Sequence, residues 1–534
     1  MQNRRFRKRR RGVLNISFWA ALATCVTMIQ AAFGGLRTGA AADAENLAAA
    51  VNSISADELK EHVSILADDS FEGREAGSRG GRAAGVYLGK EFQKLALKGA
   101  SEEKGYYQAF NGNCRNILGW IEGSDPVLKS QYIVVGAHYD HVGLGNRRNS
   151  HGPIGYIHNG ADDNASGSSG VLEVAKAFTK LNAPPKRSVL FALWDSEEEG
   201  LYGSKYWLDH PTVPLTQVKF MFNADMIGRL RKESAEILGS RSAFGLRRFV
   251  SEENRGEKLN LDFTWELKEN SDHYPFVAHN IPVLMVFTGL HEDYHTPRDK
   301  AEKINAAGMQ EVARLYFAMA LEMADRTQTP TFRPTGRSET PEQRTQREAG
   351  LEQAPGRLGI SWTPEAITAG LNISAVVSGS AAEQGGIKVG DRLLKFAGRE
   401  VTDTELLRHW VVAAPASVQV VVQRGTEREP RTLVIKLAGE PMRWGLTWRT
   451  DDAEPGCVIL TRVTSASPAE AAGLKLNDRI YQVDGQDFAD ANAFNKAINA
   501  GGNTVELEYE RRGRIGTCKL HAVDLTAADA KPHD

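Results

Sequence analysis

The run Tyr132-Ile-Val-Val-Gly-Ala-His138-Tyr-Asp140 is apolar until it ends in a histidine and an aspartate. The pattern returns at Val189-Leu-Phe-Ala-Leu-Trp-Asp-Ser-Glu197-Glu198-Glu199, and between the two runs lies the acidic segment Gly160-Ala-Asp-Asp163-Asn-Ala-Ser-Gly. An unbroken apolar run of about 4 to 8 residues is typical of a strand buried on both faces. The sequence therefore predicts an α/β fold in which charged side chains lie at the carboxyl ends of buried strands.

Two later runs end in the same way. Phe220-Met-Phe-Asn-Ala-Asp225 is apolar up to its aspartate, and Val283-Leu-Met-Val-Phe is followed shortly by Tyr294-His295-Thr-Pro-Arg-Asp299. In open α/β sheets, ligands bind outside the carboxyl ends of the strands. So many charges at that edge would repel one another unless a cation neutralised them. The candidate metal ligands are His138, Asp163, Glu198, Asp225 and His295.

The chemistry of these side chains indicates the metal. Imidazole and carboxylate form the ligand set of zinc, and manganese or cobalt are alternatives. Five ligands are one too many for a single tetrahedral zinc. Two ions about 3.5 to 4 Å apart that share one carboxylate fit the set better.

Five motifs now identify a family. His-x-Asp, Gly-Ala-Asp-Asp-Asn-Ala-Ser-Gly, Glu-Glu-x-Gly-Leu-x-Gly-Ser, Asn-Ala-Asp-Met and Tyr-His-Thr-Pro occur in this order within roughly residues 55 to 327. Together they resemble the co-catalytic zinc aminopeptidase family of bacterial leucyl aminopeptidase, aminopeptidase Y and glutamate carboxypeptidase. The resemblance implies the zinc exopeptidase fold, with a mixed, largely parallel sheet flanked by helices. It also implies peptide substrates and an aminopeptidase activity.

The resemblance further implies the metal-binding roles. Asp163 would bridge both ions, His138 and Asp225 would complete one site, and Glu198 and His295 would complete the other.

The same resemblance implies roles around the metals. Glu197 would be the general base, which takes a proton from a water molecule held between the ions and passes it to the leaving amine. Asp140 would orient the His138 ring through a hydrogen bond. Tyr294 and His273 are candidate substrate contacts.

Length and composition bound the rest of the chain. Its 534 residues predict two to four domains, and the 25% of charged residues with a net charge of -2 indicate an ordinary soluble protein without a nucleic-acid partner. The exception is the N-terminus, where a basic run precedes an apolar stretch from Gly12 to Leu36 and small residues up to Ala44. This pattern predicts an export signal, or an uncleaved membrane tether. The protein would then be periplasmic, secreted or anchored on the outer face of a membrane.

The C-terminal part contains an internal repeat. Arg357-Leu-Gly-Ile-Ser-Trp362 returns as Arg443-Trp-Gly-Leu-Thr-Trp448, about 86 residues later. The two copies, called here the first repeat (357–438) and the second repeat (439–526), resemble PDZ domains. Such domains add an extended peptide to a sheet edge and receive its C-terminal carboxylate in a turn. The resemblance implies peptide or protein C-termini as ligands, although structural or lid-like roles fit equally well.

The predicted domains follow from these features. Residues 1–44 form the signal or anchor, 45–327 the peptidase domain, 328–356 a polar linker too poor in large apolar residues to fold, and 527–534 a tail after the repeats. Within the peptidase domain, the folded region is expected to begin near Ser55, whose spacing to Glu58 predicts a capping box. Cys457 and Cys518 share the second repeat, and a disulfide between them is possible.

Four functional alternatives remain open at this stage. The fold also supports carboxypeptidases and glutaminyl cyclases, although ligands for two ions disfavour a single-zinc cyclase. A non-catalytic adaptor would use only its PDZ-like domains, and the complete ligand set argues against it. In a fourth alternative, a membrane-tethered protein uses the repeats to gate the active site.

Overall fold

A computed structural model describes residues 37–101, 103–351, 356–363, 370–500 and 502–522. The N-terminal domain is built on a nine-stranded mixed sheet. Its strands are β1 (Lys98–Gly99), β2 (Tyr107–Phe110), β3 (Cys114–Ile121), β4 (Tyr132–His138), β5 (Ser188–Trp194), β6 (Val218–Ala224), β7 (Ser234–Leu238), β8 (Asn260–Phe263) and β9 (Val283–Phe287). Their order is β1-β3-β5-β4-β6-β9-β7-β8, and β2 pairs with β3.

The centre of the sheet is parallel. Strands β5, β4, β6 and β9 are adjacent and run in the same direction, whereas β3 and β7 join them antiparallel. Every residue of β5 is buried, because helices cover both faces of the sheet. The structure therefore confirms the predicted α/β class. It also brings the carboxyl ends of the four apolar runs to one edge.

Helices form a layer on each face of this sheet. They are α1 (Arg37–Asn52), α2 (Ala56–Leu66), α3 (Arg79–Lys94), α4 (Gly167–Thr179), α5 (Tyr202–Asp209), α6 (Leu246–Glu253), α7 (His273–Ala278) and α8 (Ala306–Asp325). Helix α2 begins as predicted, since the Ser55 side chain accepts the Glu58 N–H. The second half of the predicted capping box is absent, because the Ser55 N–H donates instead to Glu173 at 2.8 Å.

The segment predicted to be an unfolded linker is ordered over residues 328–351. It contains a 3₁₀ turn (Pro334–Ser338) and a helix, α9 (Pro341–Glu348), whose first turn is capped by Thr340. Composition alone misses this order because ion pairs help to hold the segment, together with the packing of Phe332 against the core. Arg333 is buried and pairs with Glu339 at 2.8 Å, and the Arg344 guanidinium contacts Asp262 of β8 at 2.5 Å. We call residues 328–351 the connector.

The two repeats fold into matching six-stranded sheets. The first contains β10 (Ile360–Trp362), β11 (Leu371–Val376), α10 (Ala381–Gln384), β12 (Asp391–Phe396), β13 (Arg399–Glu400), α11 (Thr404–Ala413), β14 (Ser417–Arg424) and β15 (Arg431–Lys436). The second contains β16 (Leu446–Arg449), β17 (Val458–Val463), α12 (Pro468–Ala471), β18 (Arg479–Val483), β19 (Gln486–Asp487), α13 (Ala491–Ala500), β20 (Thr504–Arg511) and β21 (Arg514–His521). Both sheets have the same strand order, as the sequence repeat predicts.

The second repeat is docked on the N-terminal domain. The turn between β20 and β21 lies against edge strand β8, where the Leu261 N–H donates to the Arg512 carbonyl at 2.8 Å. Gly513 follows with a φ of +75°, and a Cβ at this position would come within 2.7 Å of the Leu261 side chain. A glycine is therefore required both by the turn and by the close approach of the two domains.

Two further predictions concern the cysteines and the N-terminus. Cys457 and Cys518 are both free thiols, so the possible disulfide between them is not formed. The apolar stretch Gly12 to Leu36, on which the predicted signal or tether rests, lies outside the described residues. Among the helices that are described, none has the length and apolar character needed to cross a bilayer.

Candidate metal centre

The candidate ligands lie at the ends of the parallel strands. His138 is the last residue of β4, Asp225 directly follows β6, and Glu198 lies in the turn after β5. Asp163 lies in a π-helical turn (Ala161–Ser166) that leads into α4, and His295 lies in the loop after β9. All five side chains are largely buried.

The five side chains form two groups that share Asp163. In the first group, His138 Nε2 lies 3.4 Å from Asp163 Oδ1 and 3.5 Å from Asp225 Oδ1. In the second, His295 Nε2 lies 3.0 Å from Asp163 Oδ2 and 3.1 Å from Glu198 Oε2. Asp163 therefore offers one carboxylate oxygen to each group.

These distances fit metal ions. Ligands held about 2.0 to 2.1 Å from a tetrahedral zinc lie about 3.3 Å from one another. In addition, the buried Nε2 atom of His295 has no hydrogen-bond partner in suitable geometry among the described residues. A ring nitrogen that lies close to carboxylate oxygens but does not hydrogen-bond to them is suitably placed to share a cation with them.

The structure adds His141, which the sequence analysis missed. Its Nδ1 atom lies 2.9 Å from Glu198 Oε1 and 3.6 Å from Asp163 Oδ2, and the side chain is fully buried. His141, Asp163, Glu198 and His295 can therefore offer four donors to one ion. His141 lies three residues after His138 in the segment His138-Tyr-Asp-His, so it was close to a predicted ligand. Strand periodicity could not show that its side chain also faces the site, because His141 lies beyond the end of the strand.

Glu197 and Asp140 lie beside the first group. Glu197 Oε2 is 4.0 Å from His138 Nε2, and burial raises the pKa of Glu197 well above its usual range, aided by Glu198 and opposed by His138. Asp140 Oδ1 lies 3.6 Å from His138 Nδ1. The Asp140 carboxylate also accepts the backbone N–H groups of Glu197 at 3.0 Å and Glu198 at 3.3 Å. Asp140 thus fixes the turn that carries both glutamates as well as facing the histidine ring.

Two more buried charged residues hold the loops of the site. The Asp299 carboxylate accepts the backbone N–H groups of Asp162 at 2.8 Å and Asp163 at 3.1 Å, and it pairs with Arg229 at 3.2 Å. The Arg74 guanidinium donates to the carbonyls of Leu66, Tyr139, Asn159 and Gly160 at 2.7 to 2.8 Å. Burial lowers the pKa of Arg74 to about 10, so it remains charged at neutral pH. No periodicity or motif in the sequence points to Arg74.

Replacing Arg74 with Lys is expected to lower the free energy of unfolding by roughly 2 to 4 kcal/mol, because hydrogen bonds from a charged group contribute about 1.5 to 3 kcal/mol each and an ammonium cannot span four carbonyls. Urea denaturation measures the change. The control is Arg79→Lys, since the Arg79 side chain is 72% exposed and pairs with Glu72 at the surface. Equal stability of the two variants would contradict the role given to Arg74.

A cavity of about 480 Å³ opens from the metal centre. Its apolar wall is formed by Met226, Leu238, Trp265, Met285 and Phe287, and the connector adds Pro341 and Arg344. Tyr294, a predicted substrate contact, lines this cavity and stacks on His295 with ring centroids 3.9 Å apart.

His273 is not brought to the cavity. Its ring is fully buried at the start of α7, both ring nitrogens lack partners among the described residues, and burial lowers its pKa to about 4. The prediction that His273 contacts substrate is therefore corrected to a neutral core histidine. The error arose because the segment Ser271-Asp-His-Tyr was assigned from a motif, which does not say which side of the helix start faces the site.

Comparisons with known proteins agree with this geometry. Residues 116–320 match the model of peptidase family M28, and residues 373–424 and 445–521 match models of PDZ domains. Aminopeptidase YwaD of Bacillus subtilis is 28% identical over 230 residues, which cover 41% of this chain and 47% of that protein. Leupeptin-inactivating enzyme 1 of Streptomyces exfoliatus is 26% identical over 263 residues, covering 49% and 55%.

Among solved structures, the LapA aminopeptidase of Legionella pneumophila aligns with a TM-score of 0.44 and 22% identity, covering 53% of this chain and 76% of that one. The chain spans about half the length of each of these two curated relatives. It carries a peptidase domain of family M28 followed by two PDZ domains.

Proposed function

We propose that this protein is an aminopeptidase that uses two zinc ions to remove N-terminal residues from peptides. His138, Asp163 and Asp225 would hold one ion, and Asp163, Glu198 and His295 the other, with His141 as a further donor. The observation that carries the proposal is the pair of donor groups that share Asp163 beside a cavity of about 480 Å³ with one apolar wall. Such a cavity suits a peptide side chain.

The residues of the chain supply the proton chemistry and the positioning. When bound, zinc supplies a Lewis acid and lowers the pKa of a water molecule. With the metals bound, Glu197 would serve as the general base and then as the general acid toward the leaving amine, for which a buried carboxyl with a raised pKa is suited. Asp140 keeps Glu197 in place through the backbone N–H, and the Tyr294 ring borders the space for the substrate.

The test compares peptides that differ only at their ends. We expect turnover of peptides with a free N-terminal amine and loss of turnover when that amine is acetylated, whereas blocking the C-terminus should have little effect. The reverse pattern would replace the proposal with a carboxypeptidase. Cyclisation of N-terminal glutamine would indicate a glutaminyl cyclase, and a protein without bound metal or turnover would fit an adaptor.

His141→Asn is expected to weaken zinc binding at one of the two sites by about 10- to 100-fold, as the loss of a ligand-supporting group does in other metal sites. Asn keeps a polar side chain but cannot place a ring nitrogen 2.9 Å from Glu198. Competition with a chelator, followed by metal quantification, measures both sites. If the two affinities match the wild type, His141 is only a packed core histidine.

For the PDZ domains, we propose that the first repeat is the one that binds extended peptides. A groove of about 370 Å³ is lined by its Leu358-Gly-Ile360 turn, Trp362 and helix α11, and also by Met442, Thr464 and Ser465 of the second repeat. In the second repeat, Trp448 packs edge-on against Phe494 with centroids 4.8 Å apart, and the Trp444 indole donates to the Ile498 carbonyl at 3.0 Å. In the second repeat these tryptophans are therefore engaged in contacts within the repeat.

We also propose that the protein is exported. The support is the basic, then apolar, then small-residue pattern of residues 4–44. Cell fractionation with mass spectrometry of the mature N-terminus tests this proposal, and intact full-length protein in the cytoplasm would contradict it.

A further inference from the structure

One arginine connects the second repeat with the wall of the substrate cavity. Arg241 follows β7 and is buried, and its guanidinium donates to Asp451 of the second repeat at 2.9 Å and to Glu339 of the connector at 2.7 Å. The same guanidinium lies flat over the ring of Trp265, 3.9 Å from the centroid. Trp265 in turn lines the cavity beside the metal centre.

Buried ion pairs hold the second repeat against the N-terminal domain. Asp451 is buried, and Arg241 holds its pKa at about 2, against the effect of burial. A second buried pair joins Arg247 of α6 to Glu510 of β20 at 2.8 Å, with the Arg247 guanidinium over Phe263. Removing one partner of a buried ion pair leaves an uncompensated charge, so these pairs favour a single docked arrangement.

The arrangement gives the Trp265 ring a fixed position. Trp265 lies in the segment after β8, outside the regular strands, and only 4% of the residue is exposed. A loop residue lacks the support of a strand ladder, and here the face of its indole is covered by an arginine that is held from two other parts of the chain. A cation attracts an aromatic ring only while it lies over the face of the ring, so the contact of Arg241 with Trp265 depends on what holds Arg241 in position.

We infer that Asp451 of the second repeat is a positioning residue for the peptidase, acting through Arg241 to fix Trp265 and thereby the side-chain preference of the cavity. The inference rests on the proposed function. It makes the second repeat a structural part of the substrate site, whereas the first repeat keeps its groove free for another peptide.

The experiment uses the full chain with the substitution Asp451→Asn, which keeps the size of the side chain and removes its charge. For substrates with a large apolar N-terminal side chain, KM is expected to rise about tenfold, because small changes in an apolar pocket alter discrimination about 10- to 200-fold. For alanine substrates KM should change little. The metal content and kcat should remain those of the wild type.

The matched control is Asp452→Asn. Asp452 is the next residue and pairs with Arg333 at 3.0 Å, but its side chain is 69% exposed and makes no ion pair with Arg241. This variant should leave KM unchanged for every substrate. A general loosening of the domain interface would instead raise KM in both variants, which would overturn the inference.

A double-mutant cycle tests the path through the indole. In a Trp265→Ala background, Asp451→Asn should have no further effect on KM, whereas independent effects would multiply. Multiplying effects, or a wild-type KM profile in Asp451→Asn alone, would overturn the inference. A wild-type protein that turns over no aminoacyl substrate would instead overturn the proposed function.

Discussion

Replacing Glu197 with Gln is expected to reduce kcat by about 10³-fold, within the range of about 10² to 10⁴ that a positioned acid or base contributes. Gln has the same shape but cannot accept a proton from water. Asp140 holds the turn through the backbone N–H of residue 197, which the substitution leaves in place, so the turn should keep its conformation. Metal content should be unchanged, because Glu197 belongs to neither of the two donor groups. Steady-state kinetics together with metal quantification provide the measurement.

The chain offers a close control in Glu199→Gln. Glu199 lies two residues further along the same turn, and its side chain is exposed. This substitution removes the same charge from the same loop, so any general electrostatic effect should appear in both variants. We expect wild-type kcat for Glu199→Gln. A Glu197→Gln variant that loses metal, or that keeps normal turnover, would show that another group is the base.

The arrangement of the centre could be predicted because it follows from strand direction. His138, Asp225 and the Glu197-Glu198 pair each follow an uninterrupted apolar run, and parallel neighbouring strands must end at the same edge. The sequence therefore predicted which side chains meet, before any contact was known. Asp163 and His295 were also candidate ligands, although neither lies directly at a strand end, and the assignment of all five ligands to the two ions came from the family resemblance.

Other parts could not be predicted from local patterns. Arg74 acts through four backbone carbonyls that are distant in sequence, and no periodicity records such contacts. The connector was predicted to be unfolded because its polar composition indicates too little apolar burial, yet ion pairs within it and with the N-terminal domain help to order it. The same limitation hid Asp451, whose partner Arg241 is 210 residues away. An ion pair between residues that are distant in sequence can be recognised only when the positions of both residues in the fold are known.

The second large effect is expected from Asp163→Asn, which should remove both metal ions from the protein. Asp163 is the one residue found in both donor groups, with Oδ1 toward His138 and Oδ2 toward His295. An amide offers a single carbonyl oxygen of lower charge, so it cannot serve two cations. Turnover should fall to background. Excess zinc should raise the melting temperature of the wild type, where a ligand at about 1,000 times its Kd contributes about 4.1 kcal/mol, but not that of Asp163→Asn.

Asp225→Asn provides the decisive comparison, because Asp225 belongs to only one of the two groups. If Asp163 bridges two ions, metal quantification should find two ions per chain in the wild type, about one in Asp225→Asn and none in Asp163→Asn. If the site held a single ion, the two aspartate variants would lose the same amount of metal. The difference between the two variants therefore reports the number of ions directly, because both substitutions remove one carboxylate from the same buried edge of the sheet.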